Sequence, residues 1–374
     1  MKVSVEGRDV PVWDVPVRLF HWSLLACVVV AGLTGFLFPP NWLDVHVWAG
    51  AGVGALILLR LVWGVTGPTY SRFRNFTLSP SAVIAHLKEI RASHVQRDGG
   101  HNPLGAWMVV ALLLTLSAIV VTGLMLLGGL FKQGPGKGVL SFSMGDLMRE
   151  PHELLAFLLV ALVVAHIAGV VFESRRSAED LARAMVTGKK REGFIPARHT
   201  RAAKPVLAAS VVLLGGAALA WAVVQLNSAA PFGVPTFTAN ATWKKECGDC
   251  HMAFHPTLLP AQSWAQIMSG LDDHFGEDAS LPEAKVQDIA AFLAANAAET
   301  SDSFAANRFR QVNKEHPLEI TATPFWVRRH DGIADAVFKA EPIKSKQNCA
   351  ACHGDAEAGA FAPQTISIPQ ETTK

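Results

Sequence analysis

Two short stretches of this sequence carry its most specific chemistry. Cys247-Gly-Asp-Cys250-His251 and Cys349-Ala-Ala-Cys352-His353 both read C-x-x-C-H. Two thiols at that spacing can bond the two vinyl groups on one porphyrin edge, and the adjacent His then turns under the ring to bind iron. A zinc site would rarely place a His directly after each pair, and a disulfide scaffold would scatter its cysteines. The spacing therefore predicts two covalently attached c-type haems. The fifth cysteine, Cys27, lies inside an apolar run and reads as a small packing residue.

Each such haem has a second axial position. Candidates are His255, His274, His316, His330, Met252 and Met268. His255 lies four residues past His251 and would struggle to reach the opposite face of the same ring, and Met252 is worse placed. His274 lies 23 residues after His251, and His330 lies 23 before His353, either of which leaves enough chain to wrap a haem. The expected iron ligands are thus His251, His353, His274 and His330. Bis-His ligation gives a lower potential than His/Met. A purely structural, exposed His remains an alternative for either distal residue.

Four further histidines fall in apolar segments, where an ionisable side chain is costly and marks a functional site by default. His21 is near the start of the first such segment, His46 opens the second, and His152 opens the fourth with His166 14 residues on. On a helix, 14 residues turn through about 1400° and rise about 21 Å, so His152 and His166 share one face at two depths. By depth His46 pairs with His152 and His21 with His166, predicting two non-covalent b haems held between facing helices. Gly50 and Gly54 follow His46 at i+4 and i+8 and could leave a flat face for a porphyrin, although small-residue helix packing uses the same pattern. Arg60, on the same face as His46, and Arg18, three residues before His21, are candidates for a haem propionate or a quinone. His101 could assist quinone proton transfer or simply start a helix. His86, His94 and His199 read as ordinary surface residues.

Membrane helices must position these groups. Of 374 residues, 50% are hydrophobic and 17% charged, against roughly a quarter charged in an ordinary soluble domain. Five apolar runs reach the ~20 residues a bilayer needs: Leu19–Phe38, His46–Val65, Ala106–Leu127, Leu154–Phe172 and Pro205–Leu226. The first has no small-residue cleavage site and does not read as a signal peptide. The N-terminus, second and fourth connections hold three, five and nine Lys/Arg, against none and three in the first and third. The positive-inside rule then places the N-terminus in the cytoplasm and everything after the fifth span outside it, where c-haem attachment takes place. Helical spacing predicts an interfacial helix over Ser79–Val95, and Ser177-Ala-Glu-Asp180 reads as a capping-box start to a short helix ending near Gly188. Helices are also expected at Trp264–Leu271 and Glu283–Ala294, a strand at Leu318–Thr323, and an extended tail over 355–374.

Val12-Trp13-Asp14-Val15-Pro16-Val17-Arg18-Leu19-Phe20-His21-Trp22 resembles the first-span signature of the bacterial cytochrome b561 family, which includes hydrogenase b-type subunits. Gly100-His101-Asn102-Pro103-Leu104-Gly105, the His152/His166 pair and Ala184–Lys190 resemble its later blocks, so the likeness covers roughly residues 10–195. It implies a four-helix bundle with two bis-His b haems, exchanging electrons with membrane quinone, and ligands matching His21, His46, His152 and His166. Glu246–Met252, Leu258-Leu259-Pro260, Ser263-Trp264, Leu271–Ser280 and Asn348–Gly354 are similar to the diheme cytochrome c family. That resemblance implies two bis-His c haems and favours His274 and His330, with their assignment to the two haems open.

The expected fold is all-α: a transmembrane four-helix bundle over 1–200, a fifth transmembrane helix and linker over 201–230, and a small, mostly helical, loop-rich c-type cytochrome domain over 231–374. The expected function is electron transfer in the bacterial inner membrane, between quinone or quinol and a periplasmic cytochrome or other redox protein. The alternative is a b/c-type anchor and relay subunit for a periplasmic dehydrogenase or hydrogenase, and a homodimer is compatible with both. A haem-based sensor or scaffold is the third class. The net charge is +8 over residues 1–226 and −6 over 227–374, which suits a basic partner for the C-terminal part. No phosphate loop, nucleophile triad or dehydrogenase nucleotide fold is present in the sequence, and nothing points to nucleic acid.

Overall fold

The first long helix, α1 (Val15–Phe36), begins where Asp14 accepts a 3.0 Å hydrogen bond from the Val17 amide, with Pro16 in its first turn. Such a cap contributes about 1 kcal/mol. The other Asp14 oxygen accepts from Trp63 Nε1 at 2.8 Å and Ser71 Oγ at 2.9 Å, tying the start of α1 to the end of α2 (Leu43–Thr66). In this computed structural model, which describes residues 9–92, 95, 98–191, 201–236 and 238–369, α3 (Pro80–Arg91), α4 (Pro103–Met125), α5 (Phe142–Leu147), α6 (Arg149–Ser177), α7 (Leu181–Thr187) and α8 (Pro205–Ser228) follow. His94, Arg97 and His199 lie outside the described residues.

Five helical stretches are long and apolar enough to cross a membrane, built on α1, α2, α4, α6 and α8. The chain is a membrane protein. Large apolar side chains such as Leu19, Leu114, Leu154 and Leu213 are exposed on these helices, which lipid rather than water accommodates. Glu150 sits in the first turn of α6, and Arg175 and Arg176 in its last, each sign favourable to the helix dipole there.

By internal packing the chain divides into two units. The first runs up to Phe38 and takes in Val45–Gly123 and Arg149–Val223; the second holds Pro39–Asp44, Leu124–Met148 and the residues from Val224 on. In the first unit, strand β1 (Asp9–Pro11) pairs antiparallel with β2 (Lys189–Arg191). The Gly188 carbonyl, at a residue with φ +81°, accepts from the Val12 and Trp13 amides at 2.8 and 3.0 Å. Buried Val12, Trp13, Val17 and Ala184 close this clasp. The sequence signatures at the start of the first span and around Gly188 thus meet in space.

Two local expectations change here. Ser177 is the last residue of α6, and Asp180, not Ser177, caps α7, accepting from the Arg183 amide at 2.8 Å. The break between the helices falls at Ala178, with φ +50°. His86 is buried on α3, with Nδ1 3.5 Å from Glu89 Oε2, rather than a surface residue; Ile84 and Leu87 of the same helix are the exposed ones.

The second unit continues α4 through a π-helical turn, Leu126–Leu130, packed on α5. A Cβ on Gly145 would lie 2.4 Å from the Leu130 amide nitrogen, so glycine is needed for that approach. Lys132 Nζ and the Phe142 amide both donate to Asp302 Oδ2, each at 2.7 Å. Then come α9 (Ala241–Glu246), α10 (Ala261–Ser269), α11 (Glu283–Ala295), α12 (Phe304–Phe309), α13 (Pro324–His330) and α14 (Asp335–Lys339). Their core centres on Leu258, Leu259, Trp264, Ile289, Leu293 and Phe309.

The expected strand at Leu318–Thr323 is instead a 3-10 turn, Ile320–Ala322, and Thr323 caps α13. With Pro317 and Pro324 flanking the run, neither neighbour can donate to a sheet ladder. The C-terminal segment is likewise broken by turns at Ala356–Ala358 and Pro363–Thr365 rather than simply extended; residues 370–374 lie outside the described residues.

Candidate functional site

The eight histidines singled out by the sequence meet as four pairs. His21 of α1 and His166 of α6 have ring centroids 6.4 Å apart, and His46 of α2 and His152 of α6 are at 6.2 Å. In the second unit, His251 and His274 are at 6.2 Å, as are His330 and His353. Imidazole–metal bonds of about 2 Å, with about 1.1 Å more from nitrogen to ring centre, put two rings about 6.2 Å apart across one shared metal. All four pairs sit at the separation that bis-His coordination requires.

Hydrogen bonds also set which nitrogen is available. His46 Nδ1 is 3.0 Å from the Ala31 carbonyl, His251 Nδ1 2.8 Å from that of Met252, and His330 Nδ1 2.8 Å from that of Trp326. A carbonyl only accepts, so these Nδ1 atoms carry the proton and Nε2 keeps the lone pair a metal needs. Burial, foremost, holds His274, His330 and His353 below the usual imidazole range, leaving them neutral at neutral pH as metal binding demands.

Local structure presents each C-terminal ligand. Cys247 directly follows α9, its amide donating to the Trp243 carbonyl at 3.0 Å. In the second motif the His353 amide donates to the Cys349 carbonyl at 2.9 Å, a tight turn that swings the His beside its two cysteines. His274 sits in a turn held by its own amide to the Glu277 carbonyl, 2.8 Å, and by Gly276 to Asp273 Oδ1, 3.0 Å. His330 ends α13, stacked on Trp326 at 4.2 Å. Phe254 beside His251 and Phe361 beside His353 add aromatic walls. Burial pushes the Cys247 and Cys349 thiols up to about 11, so both remain thiols at neutral pH.

The remaining axial candidates are placed elsewhere. His255 is buried, and its Nδ1 accepts from the Thr257 amide at 3.4 Å with Thr257 Oγ1 at 2.7 Å. Its proton is thus on Nε2, the reverse of the ligand arrangement, and burial lowers it to about 4. It packs on Gly359, where φ is +66° and a Cβ would come within 2.4 Å of its ring. His316 is exposed and 3.0 Å from Glu319. Met268 is a core residue.

Arg60 is buried, donates to the Ser71 carbonyl at 3.0 Å and lies over the Phe73 ring at 4.4 Å. Arg18 Nη1 donates to the Val186 carbonyl, while its buried Nε has no partner among the described residues. His101 packs on Trp13 and Phe76, with a buried Nδ1 that has no partner among the described residues. Burial, with the positive charges of Arg60 and Lys190, lowers it to about 3, so it is neutral.

Sequence reasoning passed over Thr34-Gly35 and Thr122-Gly123. Each Thr hydroxyl lies against a histidine Nδ1, His46 at 3.2 Å and His152 at 2.9 Å. A Cβ on Gly35 or Gly123 would lie 3.2 or 3.3 Å from the same rings. The signal was present as one Thr-Gly dipeptide in each of two spans. Of the glycines that had been singled out, Gly54 meets Val120 and serves packing, whereas a Cβ on Gly50 would enter open space.

Paired imidazoles inside a membrane bundle, with further pairs beside C-x-x-C-H motifs, define an electron-transfer cytochrome. Residues 12–188 match the prokaryotic cytochrome b561 family model and residues 243–361 the dihaem cytochrome c family model. These families imply both b- and c-type haem, and hence electron transfer. The chain is 22% identical over 225 residues to the probable Ni/Fe-hydrogenase B-type cytochrome subunit of Rhizobium leguminosarum bv. viciae, covering 50% of this chain and 91% of that protein. It is 25% identical over 214 residues to the probable Ni/Fe-hydrogenase 1 B-type cytochrome subunit of Escherichia coli K12, covering 49% and 91%. Among solved structures, the diheme cytochrome c of Rhodobacter sphaeroides is 41% identical, covering 33% of this chain and 98% of that one, with a TM-score of 0.29.

Proposed function

We propose that this protein carries electrons between the membrane quinone pool and a redox protein on the far side of the membrane from the cytoplasm. The observation that supports it most is the set of four histidine pairs, each at the spacing of two ligands on one metal. His21 with His166, and His46 with His152, would hold two b haems. Cys247, Cys250, His251 and His274 would hold one c haem, and Cys349, Cys352, His353 and His330 the other. When bound, haem supplies a one-electron Fe(III)/Fe(II) couple.

The chain's own part is to present imidazoles from opposite sides, to exclude water with apolar helices, and to stack two such sites along α6. Arg18, Arg60 and His101 gather at the end of the bundle where His21 lies. A cation and a neutral imidazole there suit propionate or quinone oxygens. Residues 1–200 form the b-haem part, 201–230 the fifth span and linker, and 231–374 the c-haem part. The N-terminus faces the cytoplasm and residues 231–374 the periplasm of a bacterial inner membrane.

A second reading, favoured by the curated relatives, is that the chain anchors and relays electrons for a periplasmic hydrogenase or dehydrogenase. Adding a quinol to the purified chain separates the two. Reduction of the c haems by quinol alone supports the first. Reduction only with a co-purifying metalloenzyme and its substrate supports the second.

A further inference from the structure

We propose that Thr34 and Thr122 are positioning residues that fix the His46 and His152 imidazoles and lower the redox potential of the haem between them. This rests on the reading above that these two histidines are its axial ligands. The two threonines come from different helices, α1 and α4, yet make the same contacts. Thr34 Oγ1 donates to the Val30 carbonyl at 2.7 Å, and Thr122 Oγ1 to the Ala118 carbonyl at 2.9 Å. A hydroxyl has one proton to give, so toward the imidazole each Thr oxygen can only accept. It therefore takes the Nδ1–H of His46 at 3.2 Å and of His152 at 2.9 Å. The Ala31 carbonyl, 3.0 Å from His46 Nδ1, requires that same tautomer.

Both threonines are buried, at 9% and 8% exposure, so water does not compete for these bonds. The following glycine leaves room for the ring carbon next to that nitrogen. A Cβ on Gly35 would lie 3.2 Å from His46 Cε1, and one on Gly123 3.3 Å from His152 Cε1. Each imidazole is thus held by a Thr oxygen on its nitrogen and a bare backbone at its carbon. His21, in the other transmembrane pair, has a buried Nδ1 with no hydrogen-bond partner among the described residues. An acceptor on Nδ1–H makes the opposite nitrogen a stronger donor. A stronger donor favours Fe(III) over Fe(II), which lowers the potential.

The test is potentiometric titration, with haem quantitation, of the purified full-length protein carrying Thr34→Val with Thr122→Val, and separately Thr34→Ser with Thr122→Ser. The expected result is an upward shift of one b-haem midpoint potential in the valine protein, with the other b haem and the c haems unmoved. Serine, which keeps the oxygen, restores the original value. If the double valine protein loses haem, the single variants Thr34→Val and Thr122→Val are titrated, each expected to shift the same haem upward. Unchanged potentials with haem retained, equal shifts in both b haems, or the same shift with serine would overturn the proposal. His46→Ala separates the underlying reading: if it keeps the full b-haem content, the ligand assignment falls and the proposal with it.

Discussion

Replacing His166 with alanine is expected to remove one of two non-covalent haems and leave the other in place. His166 faces His21 at 6.4 Å, and the other transmembrane histidines face each other at 6.2 Å. Fourteen residues separate His166 from His152 on α6, which is about 21 Å of helix rise. The lost ligand therefore cannot be replaced from the other pair. Nor does the remaining site lose the groups placed against its imidazoles, because Thr34 and Ala31 lie against His46, and Thr122 against His152. Reduced-minus-oxidised spectra with haem extraction should show b-type absorbance falling by about half, since a bis-His iron without one axial ligand is poorly retained. Loss of both b haems together, or of neither, would argue against the pairing.

The second large effect is expected from Cys349→Ala combined with Cys352→Ala. Both thioether positions of one haem disappear, while Cys247 and Cys250 remain, so haem-stained gels should show about half the covalent haem per chain. Cys352 packs on the C-terminal core, and Phe361 links the His353 ring to Phe309 of that core. Loss of this haem should therefore also lower the melting temperature of the C-terminal part. The equivalent change at Cys247 and Cys250 should leave the His330/His353 haem attached.

Much of this arrangement could be read from the sequence because its strongest signals are local. A C-x-x-C-H motif is five consecutive residues, and a His in a long apolar run stands out against its background. The depth pairing of His21 with His166 and His46 with His152 follows from helix rise and from where each falls in its apolar run. The partners of the c-type motifs did not: His274 and His330 lie at the same 23-residue separation from their nearer motifs, so spacing could not assign them. The structure puts His274 with His251 and His330 with His353.

Thr34 and Thr122 were missed for a different physical reason. A Thr in an apolar helix usually satisfies its hydroxyl on the preceding turn, as both do here. Only the neighbouring helix shows that the oxygen's remaining lone pairs face an imidazole. The change at Ser177 has a similar origin. Its neighbours fit a capping box, but α6 runs on to Ser177 itself, so the cap passes to Asp180.

On the proposed reading, four histidine pairs hold four haems of two chemical kinds. The most direct measurement is haem per polypeptide in the purified protein, taken before and after acid–acetone extraction. Two haems removed by extraction and two retained on the chain is the predicted result. A different number in either fraction would contradict four haems held by these four pairs.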